Sequence, residues 1–183
     1  ERLQTLRQRL WADLNWRRTD RVLMLGGRSL LWSLDPLAAA AEGGVMILCG
    51  SATDQPRLEA QLNLLDPLQR PALMGKPNDL DALSENHNFE VIGGRLNQDD
   101  LKSSTLMELW PTIAERTSSG AQLRLLLSES ELGPASALLE HSQGALAPEI
   151  ANALNGLQEL EAQWLSQKSE REALRQQLEA SGW

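Results

Sequence analysis

Two glycine pairs and their neighbours are where this sequence could do chemistry. Gly26-Gly27 follows the apolar run Arg21–Leu25 and precedes Arg28-Ser29-Leu30. A glycine turn between a strand and a helix lets a nucleotide-like ligand approach backbone N–H groups. Gly50 and Ser51 follow a second apolar run, Val45–Cys49. A second pair, Gly93-Gly94, leads into Arg95 and Asn97, a cation and an amide able to orient a polar substrate. Gly93, Arg95 and Asn97 are therefore the expected substrate-side loop. Glu129 and Glu131, after a fifth apolar run, have the chemistry of general bases, although carboxylates at a sheet rim also serve as helix caps. None of these residues earns a catalytic assignment from its spacing.

Metal and redox chemistry have little to work with. His87 and His141 are the two histidines, and neither has a ligand partner three or four residues away. Cys49 is the one cysteine, so no internal disulfide or cysteine-based zinc site forms; it reads as a buried thiol. No G-x-S-x-G elbow and no G-x-x-x-x-G-K-[ST] loop occurs, so hydrolase and ATPase activity are not expected within this piece.

The elements that must position these residues follow from apolar spacing. Glu1–Trp16 places Leu3, Leu6, Leu10, Trp11 and Leu14 three and four apart, an amphipathic helix. Arg21–Leu25 and Val45–Cys49 read as buried parallel strands. Between them Ser29 is a helix cap, and a helix restarts with Asp35 as cap and Pro36 at its first position. Gln55–Leu65 is a helix, Pro71–Met74 a short edge strand, and Asn78–Leu83 one or two helical turns. Phe89–Ile92 is a strand. Asp99–Arg116 is a helix turning Leu101, Leu106, Leu109, Trp110 and Ile113 inward, with Pro111 as a kink. Gln122–Leu127 is the fifth strand. Ala135–His141, Pro148–Gln167 and Ser169–Ala180 are helical, punctuated by Gly144 and Gly156, and no strand follows. Trp11, Trp32, Trp110 and Trp164 are expected to pack against neighbouring elements. Trp16 and Trp183, in less regular segments, are available to a partner.

Strands alternating with helices give a parallel sheet with right-handed crossovers. The expected fold is α/β: a three-layer α/β/α sandwich of about five mostly parallel strands with a helical C-terminal part. One domain spans 1–183, divided into a lead-in helix (1–20), a core (21–128) and the helical part (129–183).

Leucine makes up roughly a fifth of the 183 residues, with six Trp, one Phe and no Tyr. The net charge of −8 disfavours direct nucleic-acid binding, because a phosphate backbone is repelled. The basic cluster Arg2, Arg7, Arg9, Arg17, Arg18 and Arg21 reads as a solvated helix face. The same holds for the charged run Lys168 to Glu179. No run approaches a membrane span and no signal peptide is evident, so the chain is expected in the cytoplasm.

The order of strand, glycine loop, helix, strand, then F-E-V-I at Phe89–Ile92 and a fifth strand resembles a class I S-adenosylmethionine-dependent methyltransferase domain. The resemblance covers roughly Arg21 to Ser128. More narrowly, L-W-A-D-L-N before the first strand, G-G-R-S-L-L-W after it, F-E-V-I-G-G-R-L-N and the closing L-R-Q-Q-L-E-A-S-G-W resemble the C-terminal extension of cyanobacterial AAA+ ATPases of the replication-associated recombination factor family.

The resemblance implies a Rossmann-like, methyltransferase-type sheet, S-adenosylmethionine as cofactor, and the ATPase region of a parent chain as partner. It places Gly26, Gly27, Gly50 and Ser51 at the cofactor, and Gly93, Arg95 and Asn97 at the catalytic loop. It also exposes departures. Active members carry an acidic residue at the end of the first strand, where Met24–Gly27 stand here. They carry Asp or Glu at the end of the second strand to hold the ribose, where Cys49, Gly50 and Ser51 stand; Asp54 comes three residues later. Two charge-assisted hydrogen bonds of about 1.5–3 kcal/mol each are thereby missing, roughly one to three decades of affinity. The two further strands that usually end such sheets are absent, so either the chain is truncated or this version has lost them. The implied function is a non-catalytic interaction or regulatory module of an ATPase in DNA replication and recombination. The alternative is an active methyltransferase on a small molecule or protein.

Overall fold

The computed structural model describes residues 2–75, 77–83, 88–97, 100–101, 104–128, 134–142, 146–165 and 170–183. His87, Gly144, Glu129 and Glu131 lie outside the described residues, as do Asp99 and Ser169, the expected starts of two helices, and the side chain of Trp164.

Five strands form: β1 Val22–Gly27, β2 Val45–Cys49, β3 Ala72–Met74, β4 Phe89–Asn97 and β5 Thr117–Ser128. Their order across the sheet is β3-β2-β1-β4-β5, and every neighbouring pair is parallel. β1 is central and its first four residues are buried, the continuous apolar run expected of a strand covered on both faces. β3 is an edge strand, as its shortness and the preceding Pro71 foretell.

Alternation divides the core into two layers. On one face Val22, Met24, Val45, Ile47 and Val91 pack with Leu10 and Trp11 of the lead-in segment. Leu30 and Trp32 and then Leu58 and Leu62 complete that cluster. The helices here are α1 Arg2–Leu10, α2 Leu34–Ala39 and α3 Asp54–Leu62. On the other face Leu48 shares a cavity with Leu106 and Leu109 of α4 Ser104–Glu115. All five inward residues expected of that helical segment, Leu101 through Ile113, are buried.

Several expected boundaries move, each for a local reason. α1 ends at Leu10 rather than Trp16, because a turn at residues 11–13 reverses the chain, with Asp13 at φ +60°. Ser29 does cap, accepting from the Leu31 N–H at 3.3 Å, but it caps a 3-10 turn, Leu30–Ser33. Asp35 is not a cap. It lies with Pro36 in the first turn of α2, where proline is tolerated, and its carboxylate meets Arg7 Nε at 2.8 Å. β1 runs through Gly26 and Gly27 instead of stopping before them. β4 runs on through Gly93, Gly94, Arg95 and Asn97, so the expected loop is strand. β5 begins five residues early and swells at Ser118–Ala121, where Phe89↔Thr117 gives way to Val91↔Gln122.

The chain divides into two compact units, residues 1–128 with 176–183, and residues 129–175. The second contains α5 Pro134–His141 and α6 Pro148–Leu165; α7 Glu170–Ala180 contributes to both. Within the second unit Glu161 of α6 accepts from the N–H groups of Ala135 and Ser136 at 2.7 and 3.0 Å and from the Ser136 hydroxyl at 3.0 Å. That carboxylate caps the first turn of α5 from a neighbouring helix. Among the described residues no helix is long and apolar enough to cross a membrane.

Candidate functional site

In open parallel sheets, ligands bind beyond the carboxyl ends of the strands, where the strand order reverses direction. Here that is the end of β1, between β2 and β4. A cavity of about 210 Å³ opens there, lined by Gly26, Cys49, Gly50, Ser51, Gly75 and Asp100 with apolar neighbours from α4. The strand ends thus bring together Gly26, Gly50 and Ser51 of the expected cofactor set. Gly27 faces away, toward Ile47 and Leu58.

The dominant charged group at this rim is Arg28. Its Nη1 and Nη2 donate to Oδ2 and Oδ1 of Asp100, both at 2.7 Å, a two-pronged pair between residues 72 positions apart. Its Nε lies 3.5 Å from Oδ2 of Asp54, and Nη1 lies 3.4 Å from the Gly26 carbonyl. Asp100 and Asp54 are 6% and 9% exposed at the side chain, and Arg28 is 32% exposed. Each carboxylate is also held by its own strand end. The Asn97 N–H donates to Asp100 Oδ2 at 2.8 Å, and the Asp100 N–H donates back to Asn97 Oδ1 at 2.9 Å, a reciprocal capping pair. Ser51 Oγ donates to Asp54 Oδ2 at 2.6 Å.

The glycines can be tested for a cofactor cradle by asking what a Cβ would meet. At Gly26, with φ +64°, it would press on the Arg95 carbonyl at 2.7 Å; the backbone itself demands glycine. At Gly50 it would meet the Arg28 guanidinium, 2.7 Å from Cζ. At Gly93 it would strike the Trp11 ring, so this glycine makes room for the lead-in segment. Each glycine is accounted for by the chain's own atoms. Asp54, the one carboxylate near the end of β2, is already engaged by Ser51 and Arg28. The cavity is smaller than the ~300–1,000 Å³ typical of pockets for drug-sized ligands. Arranged in this way, the residues at the crevice do not fit S-adenosylmethionine.

The expected substrate-side residues separate. Gly93 is buried in β4, opposite Arg124 of β5. The Arg95 guanidinium lies over the Trp32 ring at 5.7 Å, and Asn97 serves as the cap of Asp100. Cys49 is half-buried at the cavity. Burial pushes its thiol above the usual range, helped by the charges of Asp54, Glu59 and Asp79. Among the described residues no group of three metal-ligating side chains occurs. Sequence reasoning left Arg28 without a role and passed over Asp100. The usable signal was the Asn97-x-x-Asp100 spacing at a strand end, a capping pattern that fixes a carboxylate at the rim.

No family model and no curated protein matches the sequence. Solved structures match in fold. A precorrin-6y C5,15-methyltransferase from Geobacter metallireducens GS-15 superposes with a TM-score of 0.54 at 15% identity, over 67% of this chain and 61% of that one. An rRNA methylase from Streptococcus thermophilus gives 0.49 at 17% identity, over 79% and 82%. The glycopeptide N-methyltransferase MtfA, solved with S-adenosyl-L-methionine, gives 0.49 at 16% identity, over 71% and 54%. The chain spans between about half and three fifths of the first of these matches. The fold is the Rossmann-like α/β fold of methyltransferases; fold alone assigns no activity.

Proposed function

We propose that this chain is a methyltransferase-fold module that does not transfer methyl groups and serves interaction or regulation within a larger protein. One observation carries the reading: the crevice that would take a cofactor holds the Arg28 guanidinium, locked on Asp100 and seated over Gly50. A buried carboxylate already paired two-pronged with an arginine is not available to a ribose, and freeing it leaves an uncompensated charge. The resemblance to the extension of replication-associated AAA+ ATPases supplies the larger context, with the ATPase region as partner and no direct contact with nucleic acid.

Calorimetric titration with S-adenosylmethionine and S-adenosylhomocysteine tests the first half. The expected result is no binding tighter than about 100 μM; tighter binding that Gly26→Val abolishes overturns the reading. The reading frame upstream of Glu1 tests the second half, where an ATPase module is expected and an ordinary start codon sinks the fusion. The rival reading, an active methyltransferase on a small molecule or protein, draws on the cavity that still opens at the strand ends.

A further inference from the structure

We propose that the crevice is a guanidinium-binding site filled in cis by the chain's own Arg28, so that the ligand position of the fold is occupied by a built-in side chain. The proposal rests on the non-catalytic reading and names what takes the cofactor's place.

The receptor is built independently of its occupant. Asp100 is oriented by the Asn97 N–H at 2.8 Å and by its own N–H to Asn97 Oδ1, neither of which involves Arg28. Asp54 is oriented by the Ser51 hydroxyl at 2.6 Å. Three strand ends therefore present fixed groups: the Gly26 carbonyl from β1, the Asp54 carboxylate after β2, and the Asp100 carboxylate after β4. Gly50 supplies a floor with no side chain, and the guanidinium carbon lies 2.7 Å from where a Cβ would stand.

The occupant matches that receptor in shape and charge. A guanidinium is planar and offers paired N–H donors that fit a carboxylate two-pronged; a lysine ammonium is a point charge and cannot do so. Both prongs on Asp100 measure 2.7 Å, at the short end for such bonds. Among the described residues two carboxylates face the one Arg28 cation, a negative balance. Without Arg28, two buried carboxylates would face an open space, and a planar cation of the same kind would restore the lost bonds. The 32% exposure of the Arg28 side chain means the site communicates with solvent, so an added cation can reach it.

The test uses the whole chain as wild type, Arg28→Ala, Arg28→Lys and the double variant Arg28→Ala/Asp100→Asn. Methylguanidinium chloride is the probe, with methylammonium chloride and sodium chloride at equal ionic strength as controls. Arg28→Ala is expected to lower Tm by about 6–12 °C. Methylguanidinium at about 10 mM is expected to return about 3 °C to Arg28→Ala. It should leave wild type and the double variant unmoved, and the controls should do nothing. Arg28→Lys should remain destabilised. No differential rescue, or equal shifts in wild type and Arg28→Ala, overturns the proposal.

Should Arg28→Ala fail to fold, nitrogen-15 spectra of wild type decide. A locked guanidinium gives separate, slowly exchanging Nη protons for Arg28 that collapse in Asp100→Asn; averaged signals in wild type overturn the proposal. Cofactor titration into wild type fails independently. Binding there sinks the non-catalytic reading, whereas absent rescue and averaged signals sink the guanidinium site.

Discussion

The two rims of the sheet treat their carboxylates in opposite ways. At the amino end, Glu90 accepts from the Arg21 N–H at 2.6 Å and from the Ser118 hydroxyl at 2.9 Å, while Asp20 accepts from the Arg17 N–H at 2.8 Å. Those acids satisfy backbone groups that the strand entrances would otherwise strand away from water. At the carboxyl end, Asp54 and Asp100 accept local donors too, but they also hold a long cationic side chain from the turn just past β1. The first arrangement is inert joinery. The second has a separable occupant, and only that kind of arrangement can be emptied. The fold's ligand end remains chemically a ligand end, with the ligand tethered.

The comparison can be broken most severely at the occupant. Asp100→Asn should cost about 3 kcal/mol, because Arg28 loses its two-pronged partner; urea unfolding with unchanged m-value measures it. If the cost matches that of an ordinary surface ion pair, the crevice is no more a keystone than any other salt bridge. Glu90→Ala should cost about 1–3 kcal/mol by leaving the Arg21 N–H and Ser118 without their acceptor. It should leave methylguanidinium rescue of Arg28→Ala unchanged, which would confirm that the rims act separately. Gly50→Ala should cost about 1–3 kcal/mol through overpacking against the guanidinium. That penalty should shrink in an Arg28→Ala background, a double-mutant cycle that reads the contact directly.

Smaller effects sharpen the inert class. The Glu161 carboxyl is held below its ordinary value: burial raises it, but the Ala135 and Ser136 N–H groups and the Ser136 hydroxyl together lower it further. A carboxyl lowered in the folded state stabilises above its unfolded value, near 4.5, and that contribution is lost as pH falls through the folded value. Protection of the Ala135 and Ser136 amides from hydrogen exchange should therefore fall on acidification below about pH 4.5, and Glu161→Gln should flatten that dependence. The Cys49 thiol, pushed up by burial, should react slowly with a disulfide reagent at pH 8.

How much of this was legible in the sequence depends on how far a feature reaches along the chain. β2 lies where its apolar run predicts, and the inward residues of α4 follow from three-and-four spacing; both are local patterns. The extension of β4 through Gly93-Gly94 was not legible, because a glycine pair ordinarily marks a turn. Here Gly93 is needed by the Trp11 ring, which arrives from the lead-in segment, and no local pattern reports that. The site divides in the same way. Gly26, Gly50 and Ser51 were readable as strand-end residues, and all three line the crevice. The Arg28–Asp100 pair joins residues 72 apart and exists only once the sheet has brought β1 beside β4. The guanidinium beside Gly50 leaves no trace in the local sequence around either residue.

The Trp11 ring resting on Gly93 has a mechanical consequence. The lead-in segment is keyed into the middle of β4, and its indole also leans on Trp16 at 5.6 Å. A pull on that segment acts through the Trp11 contact as well as along the chain into β1. It bears on β4 at Gly93, four residues before Asn97 and on the strand whose tip carries Asp100. Tension applied at the amino end of the chain therefore also loads the strand that leads to the jaw gripping Arg28.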